Sequence, residues 1–136
     1  MTKSLAQPQS VPLQPAAGSR RIALGVFQVL VAALFLMAGG QKLAGAPEMV
    51  AMFDVIGIGQ WFRSLTGAIE VGSALTLLIP SLSVYGAVLL VATMTAAVAT
   101  HLFIIGGSPV AALMFLVGPA IIAWARRTEL KRLLDR

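Results

Sequence analysis

Three ionisable residues, Glu70, His101 and Lys42, lie within or just after long apolar stretches of this 136-residue chain, where charge is costly unless it is paired or used. Glu70 and His101 each lie within a long apolar stretch, and Lys42 follows directly after another. A carboxylate, an imidazole and an ammonium group can hold a polar ligand by hydrogen bonds or relay protons. These three residues are therefore the first candidates for a functional site, although fixing the helix register is an alternative role for such a pair.

The polar residues around Glu70 follow helical spacing. Arg63, Thr66, Glu70 and Ser73 are separated by steps of three, four and three residues, which places them on one helical face. Helical side chains lean towards the N-terminus of their own helix, so Lys42, His101 and Glu70 are expected to converge if their helices are antiparallel. We predict a ligand pocket formed by Glu70, His101 and Lys42 and lined by Thr66, Ser73, Thr93, Thr100 and Gln28.

Composition indicates that these helices are embedded in lipid. The chain is 58% hydrophobic and only 11% charged, and its charges are concentrated in the two ends and one connection. Four continuous apolar runs are each long enough to cross a hydrocarbon core of about 30 Å. The predicted spans are residues 22–40, 61–79, 84–105 and 109–125. The sequence therefore predicts an all-α polytopic membrane protein, a four-transmembrane-helix up-down bundle.

The basic residues predict the orientation. Eight of the ten Lys and Arg residues precede the first span or follow the last one. Because cytoplasmic flanks are enriched in Lys and Arg, both termini are predicted to be cytoplasmic in the cell's inner (plasma) membrane. Ser19-Arg20-Arg21 also resembles a twin-arginine export signal, but the apolar run from Ile22 to Gly40 is longer than a signal-peptide core.

Three regions are predicted along the chain. Residues 1–19, rich in Pro, Gln and Ser, are expected to form a disordered cytoplasmic tail. Residues 20–126 form the membrane domain, and 127–136 a basic amphipathic segment on the cytoplasmic side. Within 41–60, Pro47 and Glu48 favour the start of a short interfacial helix that ends at the following glycines. A structural cap over the bundle is favoured over a substrate gate for this helix.

Several kinds of site are excluded or disfavoured. The absence of cysteine excludes thiol redox chemistry and thiolate metal ligation by this chain. One His and one Glu are too few for a typical catalytic metal centre, and His101, as the single histidine, gives little basis for haem, so neither metal nor haem is expected. The net charge of +5 does not form a basic stripe with interleaved aromatics, so nucleic acid is not an expected partner.

Short motifs through most of the membrane domain resemble the DoxX-like family of small four-helix membrane proteins. They are AGGQKL at 38–43, FDVIGI at 53–58, GAIEVG at 67–72 and LLIP at 77–80. The resemblance extends over about residues 22–126. It implies a quinone-linked or redox-accessory role in the membrane.

The leading hypothesis is therefore an accessory subunit of a quinone-linked membrane redox complex that binds a small hydrophobic ligand in the outer half of the bundle. Its expected partners are the lipid bilayer and either redox-complex subunits or further copies of the chain. One alternative is a small-solute or proton carrier that acts as an oligomer, because polar residues line three helices at mid-depth. Another is a purely structural assembly partner that docks a protein through its basic C-terminal segment. Enzymatic activity is left open.

Overall fold

A computed structural model describes residues 17–136, and this part of the chain is entirely helical. The prediction of an all-α protein is thus confirmed for the described residues, which contain six α-helices, one π-helical turn and no strand. The helices are α1 (Ala17–Ala44), α2 (Pro47–Ile56), α3 (Gln60–Leu77), α4 (Ser83–Thr100), α5 (Val110–Ala125) and α6 (Arg127–Leu134). The π turn, His101–Ile105, directly continues α4.

Two helices are long and apolar enough to cross a membrane by themselves. They are α1 and the continuous helix Ser83–Ile105, and α5 joined to α6 would be a third although the pair is bent by 62°. The predicted second span falls on α3, which does not qualify and which carries Arg63 and Glu70. Two or three candidate spans are therefore established by length and composition, and the four-span bundle stays a prediction.

The bundle is built by neighbouring helices in sequence order. α3 packs against both α1 and α4, α4 packs against α5, and α5 meets α1 in a smaller contact. Glycines allow two of these close approaches: Gly39 faces Gly67 between α1 and α3, and Gly86 lies against the backbone of α3 at Ser73. Between α1 and α5, the rings of Phe35 and Phe115 meet edge to face with centroids 5.4 Å apart.

A small apolar core occupies the centre, while large apolar side chains cover the outside. Phe35, Leu77, Leu90 and Ile122 are almost completely buried. By contrast, Phe103 is 84% exposed, and exposed Leu, Ile and Val residues occur on α1, α3, α4 and α5. Apolar side chains on the outer surface are typical of helices that contact lipid, and the chain is therefore a membrane protein.

The structure describes the chain from Ala17 onward, where α1 begins. The predicted tail, residues 1–19, lies mostly outside the described residues, and its disorder stays a prediction. The short helix expected between the first two spans is α2, bounded by Gly45 at φ +72° and Gly57 at φ +78°. These values favour glycine because it has no Cβ atom. The basic C-terminal segment forms α6, in which no residue is buried.

Candidate functional site

A cavity of about 420 Å³ lies among the first five helices and the π turn. Its volume is within the range of roughly 300–1,000 Å³ that is typical of small-molecule sites. Most of its wall is apolar, and α2 contributes Met49, Met52, Phe53 and Ile56. The polar residues on the wall are Lys42, Glu70, His101, Gln41, Thr66, Thr93 and Thr100.

The strongest electrostatic contact in the cavity joins α1 to α3. Lys42 Nζ donates to Glu70 Oε2 at 2.9 Å, and Glu70 is only 1% exposed. The Lys42 side chain is 15% exposed. The remaining carboxylate oxygen, Oε1, has no hydrogen-bond partner among residues 17–136. The predicted convergence of Lys42 and Glu70 is therefore present, and it leaves one acceptor atom for a ligand.

Arg63 stabilises the end of α1 that carries Lys42. Its guanidinium donates to the backbone carbonyl of Lys42 and to Gln60 Oε1. The last carbonyls of a helix lack intrahelical donors, so this contact satisfies one of them. Gln60 in turn donates to Val50 O and to Asp54 Oδ1, which attaches α2 to the start of α3. The sequence did not predict this network, because its partners lie on three different elements.

His101 is the first residue of the π turn and also lines the cavity. Its Nδ1 lies 2.9 Å from the carbonyl oxygen of Ala97, and the amide of Gly106 donates back to His101 O at 3.0 Å. Because a carbonyl oxygen only accepts, Nδ1 must carry a hydrogen and Nε2 of the neutral ring is an acceptor. π turns often occur at functional sites, where they reposition a side chain.

The three cavity threonines use their hydroxyl hydrogens within their own helices. Thr66, Thr93 and Thr100 each donate to the carbonyl four residues earlier, at distances of 2.8 or 2.9 Å. This arrangement satisfies the hydroxyl in an apolar environment. The oxygen of each hydroxyl keeps acceptor capacity, so the threonines offer acceptors rather than donors to a ligand.

Two predicted pocket residues, Gln28 and Ser73, are not part of this cavity. Gln28 lies about 21 Å before Lys42 along α1 at 1.5 Å per residue, so a shared helical face does not bring the two together. It donates to Leu77 O at 2.8 Å and accepts from Arg126 at 2.7 and 3.0 Å. Ser73 is buried beside Gly86, where α4 packs closely on α3, and it lines a separate, smaller cavity of about 200 Å³.

The apolar lining from α2 was not assigned to the site from the sequence. Met49, Phe53 and Ile56 recur at helical spacing, and this spacing was the available signal. Phe53 is buried and its ring lies 5.9 Å from that of Phe62 on α3. The cavity therefore combines a flexible apolar surface with an ion pair and an imidazole. Such a site can hold an apolar molecule and hydrogen-bond its polar end.

Comparison with known proteins identifies the family of this chain. Neither the curated proteins nor the solved structures give a match to this chain. The sequence profile of the DoxX-like family matches residues 26–126, which include α2 to α5, most of α1 and every polar residue of the cavity. The match extends over most of the chain and confirms the resemblance found in the short motifs. This membrane protein belongs to the DoxX-like family.

Proposed function

We propose that this chain is an accessory subunit of a quinone-linked membrane redox complex and that it binds a small hydrophobic ligand, of the quinone class, in the cavity among α1 to α5. In this proposal α1, α3, α4 with the π turn, and α5 cross the inner (plasma) membrane. Both termini are cytoplasmic. The observation that carries the proposal is a ligand-sized apolar cavity whose wall contains the Lys42–Glu70 ion pair and His101.

The wall chemistry supports a ligand that is mostly apolar and carries polar atoms at its edge. Met49, Met52 and Phe53 provide contacts for a ring or an alkyl tail. The Lys42 ammonium has N–H groups beyond the one given to Glu70, so it can donate to a ring oxygen. A bound quinone would supply reversible electron and proton uptake; Glu70 Oε1 and His101 Nε2 would accept hydrogen bonds from the hydroxyl groups of its reduced form, and the apolar wall would exclude water.

The position of α3 supports four spans although α3 is too polar to qualify by composition. Glu70, the charge at its centre, is buried against protein and paired with Lys42. An intramembrane charge is tolerated when it faces the interior of a bundle and is paired. The basic residues Arg126, Arg127, Lys131 and Arg132 follow α5 and support a cytoplasmic C-terminus.

The first experiment identifies small molecules retained by the protein. The full chain is purified from its membranes into native nanodiscs, and the bound molecules are determined by mass spectrometry. We expect a quinone in the wild type and its depletion in Glu70→Gln and in His101→Ala. Glu129→Gln is the matched control, because Glu129 lies on α6 outside the cavity and, within residues 17–136, pairs only with Arg126. Retention that is unchanged in both cavity variants would remove the proposed site.

The proposed role as an accessory subunit needs a separate measurement. Crosslinking in intact membranes followed by affinity purification identifies neighbours of the chain, with a redox membrane protein as the expected partner. Recovery of only further copies of the chain would argue against the accessory role and leave the cavity proposal standing. These two experiments therefore separate the ligand from the partner.

A further inference from the structure

The hydrogen-bonding groups of the cavity are not balanced between donors and acceptors. All three threonine hydroxyls donate to backbone carbonyls, and the His101 Nδ1 hydrogen is directed at Ala97 O. His101 Nε2 and Glu70 Oε1 are both acceptors without a partner in the described part of the chain. The donors left on the wall are those of Lys42 and the Gln41 amide. His101 Nε2 and Glu70 Oε1 therefore receive no hydrogen bond from the described residues, and a ligand hydroxyl group can supply one.

We infer that the cavity selects ligands that carry a ring hydroxyl, such as a quinol or a phenol, over the carbonyl form of the same molecule. This inference rests on the proposed ligand site and names the form of the ligand that the site prefers. A hydroxyl group both donates and accepts, so it can give its hydrogen to His101 Nε2 or Glu70 Oε1 and still accept from Lys42 Nζ. A carbonyl only accepts, and it leaves the acceptors of the wall without a hydrogen.

The size of the expected preference for the quinol follows from the free-energy cost of a hydrogen bond that is not made. A buried acceptor that loses its partner on ligand binding weakens binding by about one order of magnitude per group. Because the Lys42 and Gln41 donors serve the hydroxyl and the carbonyl form alike, only the acceptors distinguish the two. We expect the quinol to bind about tenfold more tightly than the matching quinone.

The test compares three molecules that share one apolar skeleton. Binding of decyl-ubiquinone, its quinol and the bis-methyl ether of that quinol is measured by calorimetry on the full chain in nanodiscs. The measurement is anaerobic, so that the quinol stays reduced. The ether keeps both oxygens and lacks both hydrogens, so it should bind no better than the quinone. Empty nanodiscs correct for partition into lipid.

The His101→Phe variant tests whether His101 Nε2 is the acceptor that causes the preference for the quinol. It keeps an aromatic ring and removes the Nε2 acceptor, so quinol binding should weaken by more than quinone binding, and the quinol preference should fall to about threefold or less. Thr95→Val is the control, because Thr95 donates to Val91 O on the same helix and does not line the cavity. An unchanged midpoint of thermal unfolding demonstrates that the variant is folded.

The outcomes separate this inference from the proposed function. Equal or tighter binding of the quinone by the wild type, or an ether that binds as well as the quinol, overturns the hydroxyl preference and leaves the ligand site intact. A preference that survives in His101→Phe overturns the role given to His101. Failure of all three molecules to bind removes the ligand site itself and the preference with it. A quinol preference lost in His101→Phe supports the inference.

Discussion

Gly39 on α1 and Gly67 on α3 face each other so closely that a Cβ atom on either glycine would lie 2.9 Å from the carbonyl oxygen of the other. Contacts of this length do not occur between real Cβ atoms and backbone, so the two helices can meet here only because both side chains are absent. The same approach brings Lys42, one turn after Gly39, within reach of Glu70, one turn after Gly67. The glycine contact therefore positions the ion pair.

The first prediction concerns this contact. Gly67→Ala should force α1 and α3 apart and lower the free energy of unfolding by about 1–3 kcal/mol, as other overpacked contacts do. The midpoint of thermal unfolding in mild detergent measures the effect. Gly72→Ala on the same helix is the control, because open space surrounds Gly72 and alanine there should stabilise the helix slightly. Equal loss in both variants would contradict a role for the close approach.

The second prediction concerns the buried ion pair. Lys42→Met leaves the Glu70 carboxylate without its cation and should destabilise the protein by about 3–5 kcal/mol. The double variant Lys42→Met/Glu70→Gln removes both charges and should recover a large part of that loss, which a double-mutant cycle of unfolding in mixed micelles measures. The more exposed pair Arg126–Glu129, whose side chains are 17% and 43% exposed, is the comparison, since Glu129→Gln should cost at most about 1 kcal/mol. Additive effects of the two cavity substitutions would show that Lys42 and Glu70 do not interact.

The third prediction separates stability from ligand binding. Gln28→Leu removes the donor to Leu77 O and the acceptor for Arg126, so unfolding should become easier by about 1–3 kcal/mol while ligand retention stays unchanged. Gln41→Leu should show the reverse pattern, because Gln41 lines the cavity and its side chain has no hydrogen bond within residues 17–136. If Gln28→Leu lost the ligand while the protein stayed folded, Gln28 would have to be part of the binding site, which would contradict this prediction.

The fourth prediction tests the proposed orientation. Because the chain contains no cysteine, single cysteines can be introduced without other changes. Ser108→Cys, between the π turn and α5, should react with a membrane-impermeant maleimide in intact cells. Asp135→Cys, after α6, should react only after the membrane is opened. The reverse pattern would place the C-terminus outside, and labelling of both positions in intact cells would contradict α5 as a span.

The sequence predicted the helical architecture and the central ion pair because both depend on local patterns. Long apolar runs indicate where the helices lie. Helical side chains lean towards the N-terminus of their own helix, which brings Lys42 towards Glu70. Gln28 was misplaced because a shared helical face says nothing about depth, and about 21 Å along the helix separates it from Lys42. The π turn at His101 and the contact of Arg63 with the end of α1 depend on tertiary packing, which no spacing rule encodes.

The contact between Gln28 and Arg126 joins residues that are 98 positions apart. Until Arg126 emerges from the ribosome, the side-chain oxygen of Gln28 has no guanidinium to pair with, although most of the bundle has already been synthesised. Arg126 also donates to Glu129, so the same residue that completes the contact with α1 fixes the start of α6. A chain truncated before this arginine would thus keep the bond from Gln28 Nε2 to Leu77 O but leave the buried Gln28 Oε1 without its guanidinium partner.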